Sequence, residues 1–164
     1  MTIRQAGAEE AERVVDLYRM VIGQPYCTWN DRYPGIGEVN HDIETNNLFV
    51  CEEGDSLIGA ISIVPENELD DVMNWAVSQN AYEIARVVIK PGCQGKGYSR
   101  LLVQEIIRIL QTERHCAAIH LAVATVNVPA YRTYMSLGFK PVGEVDLYGH
   151  HFCLCEKVLM PMGK

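Results

Sequence analysis

The 164-residue chain reads as an α/β protein with a mixed sheet, and three observations carry that reading. Two stretches, residues 8–22 and 98–110, place apolar side chains at helical spacing. Several short apolar, β-branched runs are bounded by turn residues, as strands are. The elements follow the order helix, hairpin strands, strand, helix, strand, helix, two strands, with one strand-helix-strand crossover at the centre instead of a long parallel array.

Residues 8–22 carry Ala11, Val14, Val15, Leu17, Tyr18 and Val21 on one face, after an acidic start at Glu9 and Glu10 that suits a helix N-terminus. Residues 23–37 are irregular, with Pro25, Pro34 and several glycines, and carry Trp29 and Tyr33; a short helix through His41, Asp42 and Ile43 follows. Residues 48–51 and 57–64 read as a hairpin around Glu53-Gly54-Asp55. The polar segment 66–80 matches neither pattern, and residues 82–89 form the next strand, stopped by Pro91-Gly92. After Gly97 comes an amphipathic helix built on Leu101, Leu102, Val103, Ile106, Ile107, Ile109 and Leu110. Residues 118–124 are a buried strand. Asn127 caps a helix over 129–137, where Pro129 is tolerable in the first turn and Gly138 suits the stop. Residues 139–145 and 150–159 complete the sheet.

No repeat or linker divides the chain, so a single domain over residues 1–164 is expected. With 14 Lys and Arg against 21 Asp and Glu, the net charge of −7 disfavours nucleic acid or an anionic membrane as partner. No apolar run approaches the roughly 20 residues of a membrane span, and residues 1–10 lack a signal-peptide hydrophobic segment. A cytoplasmic location is expected. The six cysteines, Cys27, Cys51, Cys93, Cys116, Cys153 and Cys155, are then thiols. They form no C-x-x-C, and the run His150-His151-Phe152-Cys153-Leu154-Cys155 reads as half-buried strand, so no metal is expected.

The segment 87–100 reads strand, glycine-rich turn, helix start. Glycines let backbone N–H groups converge, and a helix N-terminus adds unpaired donors with partial positive charge, so the turn is an anion site. Lys90, Lys96 and Arg100 concentrate positive charge there, against the sign of the whole chain. The turn is not a P-loop, because Tyr98 stands where that motif needs lysine, nor a dinucleotide fingerprint, because Gly95-Lys96-Gly97-Tyr98-Ser99-Arg100 ends in arginine.

The run Gln94-x-x-Gly97-x-Ser99 resembles the [QR]-x-x-G-x-[GA] signature of the GNAT superfamily of acyl-CoA-dependent N-acetyltransferases. After the next strand, Asn127-x-x-Ala130-x-x-x-Tyr134-x-x-x-Gly138-Phe139 resembles that family's downstream segment. Ser99 replaces the usual glycine or alanine, and serine is small enough to keep the approach to a diphosphate open. The resemblance spans roughly residues 48–159. It implies a central mixed sheet with a splayed strand pair, about four helices, and acetyl-CoA as cofactor.

Residue by residue, the resemblance implies that Val87, Val88 and Ile89 line the pantetheine arm, with the Val87 N–H at the thioester carbonyl. The backbone of Gln94, Gly95, Lys96, Gly97, Tyr98, Ser99 and Arg100 would hold the diphosphate, and Asn127 and Tyr131 would line the cofactor groove. Tyr134 matches the family's general acid. Glu83, on the strand before the turn, resembles the base of histone-acetylating members; partial burial would bring its carboxyl toward a useful range. Glu83 as a structural carboxylate is the rival reading. Trp29, Tyr33, Trp75 and His150, with Tyr148 and His151 beside the last, are candidates for the acceptor pocket or for packing. The reaction expected is direct attack by a small-molecule, amino-acid or peptide amine on the thioester in a ternary complex. The alternative is a non-catalytic acyl-CoA sensor. A homodimer is common in similar proteins, and nothing in the sequence specifies its interface.

Overall fold

The computed structural model describes residues 1–65, 69 and 75–159. Of the unassigned segment 66–80, residues 66–68 and 70–74 lie outside the described residues. Seven strands form one mixed sheet in the order β1-β2-β3-β4-β5-β7-β6. They are β1 (Thr2–Gln5), β2 (Leu48–Glu53), β3 (Ser56–Val64), β4 (Ala81–Ile89), β5 (Ala118–Ala124), β6 (Lys140–Leu147) and β7 (His150–Val158). The described α-helices are α1 (Ala11–Met20), α2 (Ile36–Glu44), α3 (Tyr98–Thr112) and α4 (Val128–Ser136). The mixed sheet and helices expected from sequence are borne out. The chain falls into two compact units, Met1–Ile63 with Arg86–Val103, and Val64–Ala85 with Gln104–Lys164.

In the first unit, α1 buries Val14, Val15, Leu17 and Tyr18 against Val39 of α2, Leu48 and Val50 of β2, Leu57 and Ala60 of β3, and Val88 of β4. Full burial of each large apolar side chain contributes about 1.5–3 kcal/mol. The order expected from sequence begins with a helix, yet β1 precedes it and pairs antiparallel with β2, Ile3 opposite Cys51. Its TIRQ sequence has one apolar residue, too few for a period, and side chains instead fix it: Arg4 pairs with Glu10 at 2.7 Å and Glu52 at 3.0 Å. The helix expected over residues 8–22 begins as a 3-10 turn, Ala8–Glu10, because Glu10 folds back to accept the Gly7 N–H at 2.9 Å.

In the second unit, β5 lies parallel to β4 over Ala81–Glu83 and antiparallel to β7 along its whole length. The β6–β7 ladder slips between Pro141 and Gly143, where proline lacks the N–H a regular ladder needs. Leu69, Trp75 and Leu154 form a core cluster with Ala122, Val145 and Leu147 around it. Of α3, Leu102 and Val103 in the first unit and Ile106 and Leu110 in the second are fully buried, while Leu101 of the first, counted in the apolar stripe, is exposed.

Candidate active site

The turn between β4 and α3 lies in the first unit. Gly95 and Gly97 sit at φ of +78° and +85°, and a Cβ built on either meets no heavy atom within 4 Å. Backbone conformation therefore requires glycine here, and the space above it is open. The first helical bond back to the turn is Leu101 N–H to the Gly97 carbonyl, at 3.1 Å. Among the described residues, no acceptor takes the amide hydrogens of residues 94–99. Residues 94–97, Lys96 among them, are exposed, as is Arg100 next to the segment. A row of uncommitted donors at a helix N-terminus, next to cations, is suited to a diphosphate.

Two side chains of the turn, Gln94 and Tyr98, bond elsewhere. Gln94 donates through Nε2 to the Ile89 carbonyl at 3.1 Å and to the Tyr26 hydroxyl, which ties the turn to the end of β4. Tyr98 donates its hydroxyl to Glu53 at 2.6 Å, a bond that raises its own phenol above the ordinary range. The Ser99 side chain is half-exposed.

Along β4, parallel pairing with β5 stops at Glu83. Val88 and Ile89 are buried and Val87 is half-buried. Between the paired and unpaired stretches, Arg86 takes φ +51°, a conformation an L side chain rarely adopts, as at a bulge. Its guanidinium donates to Asp42 at 2.7 Å and to the Tyr33 hydroxyl at 3.2 Å. Asp42 also accepts from the Ser62 hydroxyl at 2.7 Å. Trp29 meets Tyr18 edge-on, with ring centroids 5.2 Å apart. Tyr33 and Trp29, named from sequence as acceptor candidates, thus belong to one aromatic and polar cluster within the first unit.

The second unit holds the remaining candidates. Asn127 caps α4, its Oδ1 accepting the Ala130 N–H at 3.3 Å. Tyr134, one face of α4 inward, is 8% exposed and packs edge-on against Phe139 at 5.7 Å. Among the described residues nothing hydrogen-bonds its hydroxyl, and burial pushes the phenol well above its ordinary range. Tyr131 is half-buried. Glu83 is half-buried and opposite His120 in the β4–β5 register. Trp75 is 7% exposed, donates its indole N–H to the Leu69 carbonyl at 3.0 Å, and stacks on the His120 ring. His150 is exposed beside the turn between β6 and β7. The neighbouring His151 sits between Asp146 at 2.6 Å and Glu144 at 3.0 Å, which raise its imidazole above the ordinary range.

Among the described residues no group of three or more His, Cys, Asp or Glu side chains could hold a metal ion. Cys153 and Cys155 lie 3.8 Å apart at sulfur as free thiols, and burial pushes the Cys155 thiol up to about 12.

Reasoning from sequence missed four polar residues. Arg86 and Asp42 form the buried pair described above, and His120 and Glu156 form another at 2.9 Å. A signal existed for two of them. Arg86 is the lone charge in Ile84–Ile89, and His120 the lone polar side chain in the run Ala-Ile-His-Leu-Ala-Val-Ala.

A sheet whose crossover strand opens into a donor-lined turn and helix N-terminus defines a protein that binds a phosphorylated carrier. The chain belongs to the acetyltransferase (GNAT) family, whose family model matches residues 14–139. It is an acetyl-CoA-dependent N-acetyltransferase, and the uncommitted amides of residues 94–99 fit the cofactor's diphosphate. The L-methionine sulfoximine/L-methionine sulfone acetyltransferase of Salmonella typhimurium is 24% identical over 168 residues, 93% of this chain and 87% of that protein. The structure of yncA from Salmonella typhimurium with its cofactor acetyl-CoA superimposes with a TM-score of 0.79 at 19% identity, covering 100% of this chain and 96% of that one. A GNAT-family acetyltransferase from Streptococcus agalactiae gives a TM-score of 0.81 at 19% identity, over 97% and 95% of the two chains. Among the described residues no helix is long and apolar enough to cross a membrane.

Proposed function

We propose that the chain acts as one acetyltransferase domain that moves an acetyl group to the primary amine of a small molecule or amino acid, by direct attack in a ternary complex. The observation that carries this reading is the row of uncommitted amide donors over residues 94–99. A single domain is supported by the family model, whose match runs through parts of both compact units. An amino-acid-like acceptor is supported by the Salmonella relative, which is named for acetylating methionine derivatives. The reading places the chain in a reducing, cytoplasmic compartment, where cysteines stay thiols.

Bound acetyl-CoA supplies an acyl group activated as a thioester. The backbone of residues 94–100 holds the diphosphate, and side-chain identity matters little for such contacts. Val87, Val88 and Ile89 would guide the arm, and the Val87 N–H is the donor that would serve the thioester carbonyl. A main-chain donor aimed at developing negative charge is worth about 3–4 kcal/mol in a dry site. Asn127 and Tyr131 line the cofactor's path. Glu83 takes a proton from the acceptor ammonium, which at a reference pKa of about 10.4 is otherwise protonated at neutral pH. Tyr134, kept protonated by burial, is the group that would give its phenolic proton to the leaving thiolate and recover one from the newly acylated nitrogen. The acceptor-side candidates are Trp29 and Tyr33 in the first unit and, separately, Trp75 and His150 in the second.

The test is thiol release from acetyl-CoA across a panel of amines and amino acids, with CoA affinity measured by calorimetry. Turnover with at least one amine, lost in Tyr134→Phe with CoA affinity intact, is expected. Tight CoA binding with no turnover on any amine overturns the reading.

A further inference from the structure

We propose that Arg86 and Tyr33 are the recognition point for the acceptor, and that the acceptor is an α-amino acid whose carboxylate takes the Tyr33 hydroxyl hydrogen and a guanidinium hydrogen of Arg86. The inference rests on the reading of Tyr33 as an acceptor-side residue given above, and it narrows the amine to one that carries a carboxylate. All the groups it uses lie in the first unit.

Arg86 carries two costs in one residue. Its charged side chain is 13% exposed, and its φ of +51° is one that an L side chain rarely adopts. Strain of this kind persists where surrounding contacts over-determine it, and it gathers at functional sites. Here the contacts fix the guanidinium from its buried side. Nη2 donates to Oδ2 of Asp42 at 2.7 Å, and the hydroxyl of Ser62, a residue with no exposed surface, donates to the same oxygen at 2.7 Å. The other prong, Nη1, donates to the Tyr33 hydroxyl at 3.2 Å, and Tyr33 is 45% exposed. The network thus runs from a buried carboxylate to a phenol at the surface.

Its outer end has hydrogens to give. A guanidinium carries five N–H hydrogens and no acceptor. Asp42 takes one and Tyr33 takes one; the buried Nε has no acceptor among the described residues, and Nη1 keeps a second hydrogen. The Tyr33 oxygen accepts from Arg86, so its own hydrogen is directed away from the guanidinium, and among the described residues nothing takes it. A hydroxyl that accepts from a cation is polarised and donates more strongly. Hydrogens on a phenol oxygen and a guanidinium nitrogen 3.2 Å apart suit the two oxygens of one carboxylate. Because Asp42 already balances the charge of Arg86, the pair suits a monoanion better than a dianion such as a phosphate ester. Half-buried Trp29 and exposed Ile36 add apolar surface from the same stretch of chain. Arg86 directly precedes Val87, assigned above to the thioester carbonyl, so recognition and transfer would sit on adjacent residues. An acceptor with its amine and carboxylate on one carbon matches that closeness.

The test titrates the CoA-loaded full chain with L-amino acids, each paired with its α-carboxamide, by calorimetry. Wild type is expected to bind at least one acid about tenfold or more tightly than its amide, as hydrogen bonds to a charged group imply. Tyr33→Phe, a change at an exposed position, should fold and bring that ratio to within about threefold of unity. Comparing the ratio in the two proteins cancels the different basicities of the acid's and the amide's amines. A second readout is the carbon-13 signal of the Tyr33 ring carbon that bears the hydroxyl, assigned by its loss in Tyr33→Phe; it should shift with the acid and stay in place with the amide. The proposal is overturned if no acid binds more tightly than its amide, if the ratio is unchanged in Tyr33→Phe, or if no acid moves the Tyr33 signal. Thiol release from acetyl-CoA with simple amines but with no amino acid also overturns it, while leaving acetyl transfer in place. The reverse result, a carboxylate preference that is lost in Tyr33→Phe with no thiol release on any amine, supports this recognition point and removes the transferase reading instead.

Discussion

Arg86 of β4 places Nη2 2.7 Å from Oδ2 of Asp42 in α2, and both side chains are nearly sealed from solvent, at 13% and 4% exposure. Asp42 takes a second donor from Ser62, so its carboxylate is well satisfied, while among the described residues the Nε of Arg86 has no acceptor. Such a pair is costly to break from one side, because the remaining charge stays buried without its partner. It also holds the side chain of Arg86, whose φ is +51°, three residues beyond Glu83, where the ladder with β5 ends.

Asp42→Ala is therefore expected to destabilise the protein by about 3–5 kcal/mol. Urea denaturation should show a lower midpoint with an unchanged slope. A loss under about 1 kcal/mol would mean that water reaches the pair and screens it.

The turn before α3 allows a sharper test of anion binding. Gly97→Asp sets a carboxylate against the diphosphate, whereas Gly97→Ala introduces only the strain of a side chain at φ +85°. Titration calorimetry with CoA should give no measurable binding for the aspartate variant, a loss of about 100-fold or more, and only a modest loss for alanine. Equal affinities in wild type and Gly97→Asp would remove the diphosphate from this turn.

Tyr134→Phe deletes a hydroxyl that no described residue hydrogen-bonds, so thermal stability should change little. If the phenol donates a proton to sulfur, kcat falls by about 10²–10³ with CoA affinity retained. Burial raises the phenol, so it remains protonated throughout the neutral range and adds no basic limb there. A kcat within threefold of wild type would leave Tyr134 as a packing residue against Phe139.

The turn at 94–100 and the cap at Asn127 were legible because each rests on local rules. Glycine is needed where φ is positive, and asparagine is needed where a helix start must satisfy its amides. The strands β2 to β5 were legible because each carries a short, mostly apolar, β-branched run bounded by turn residues. What stayed hidden depends on pairing across the sequence. β1 has a single apolar residue and exists through its register with β2 and through Arg4. The His120–Glu156 pair joins residues 36 apart, and no local pattern announces which acid will face which imidazole. Trp75 was read only as a candidate for the pocket or for packing; its stack on His120 belongs to the same long-range geometry.

That dependence on Arg4 gives the N-terminal strand a pH limit. Hydrogen bonds from Arg4, aided by the Gly7 amide, hold the Glu10 carboxyl at about 2 against an ordinary value of 4.5, although burial works the other way. A carboxyl depressed on folding binds fewer protons in the native state, so the unfolded chain gains as pH falls below its own range. The stabilisation is complete above about pH 4.5 and drains away as pH approaches 2. It should amount to about 2 kcal/mol, once the partial exposure of Arg4 is discounted. In urea denaturation at stepped pH, Glu10→Gln should therefore be less stable than wild type at neutral pH, and the gap should close between pH 4.5 and 2. A gap that persists undiminished at the acid end would show that the glutamine has lost packing or geometry and not a charge interaction. In that case the ion pair with Arg4 would not be what holds β1 to the sheet.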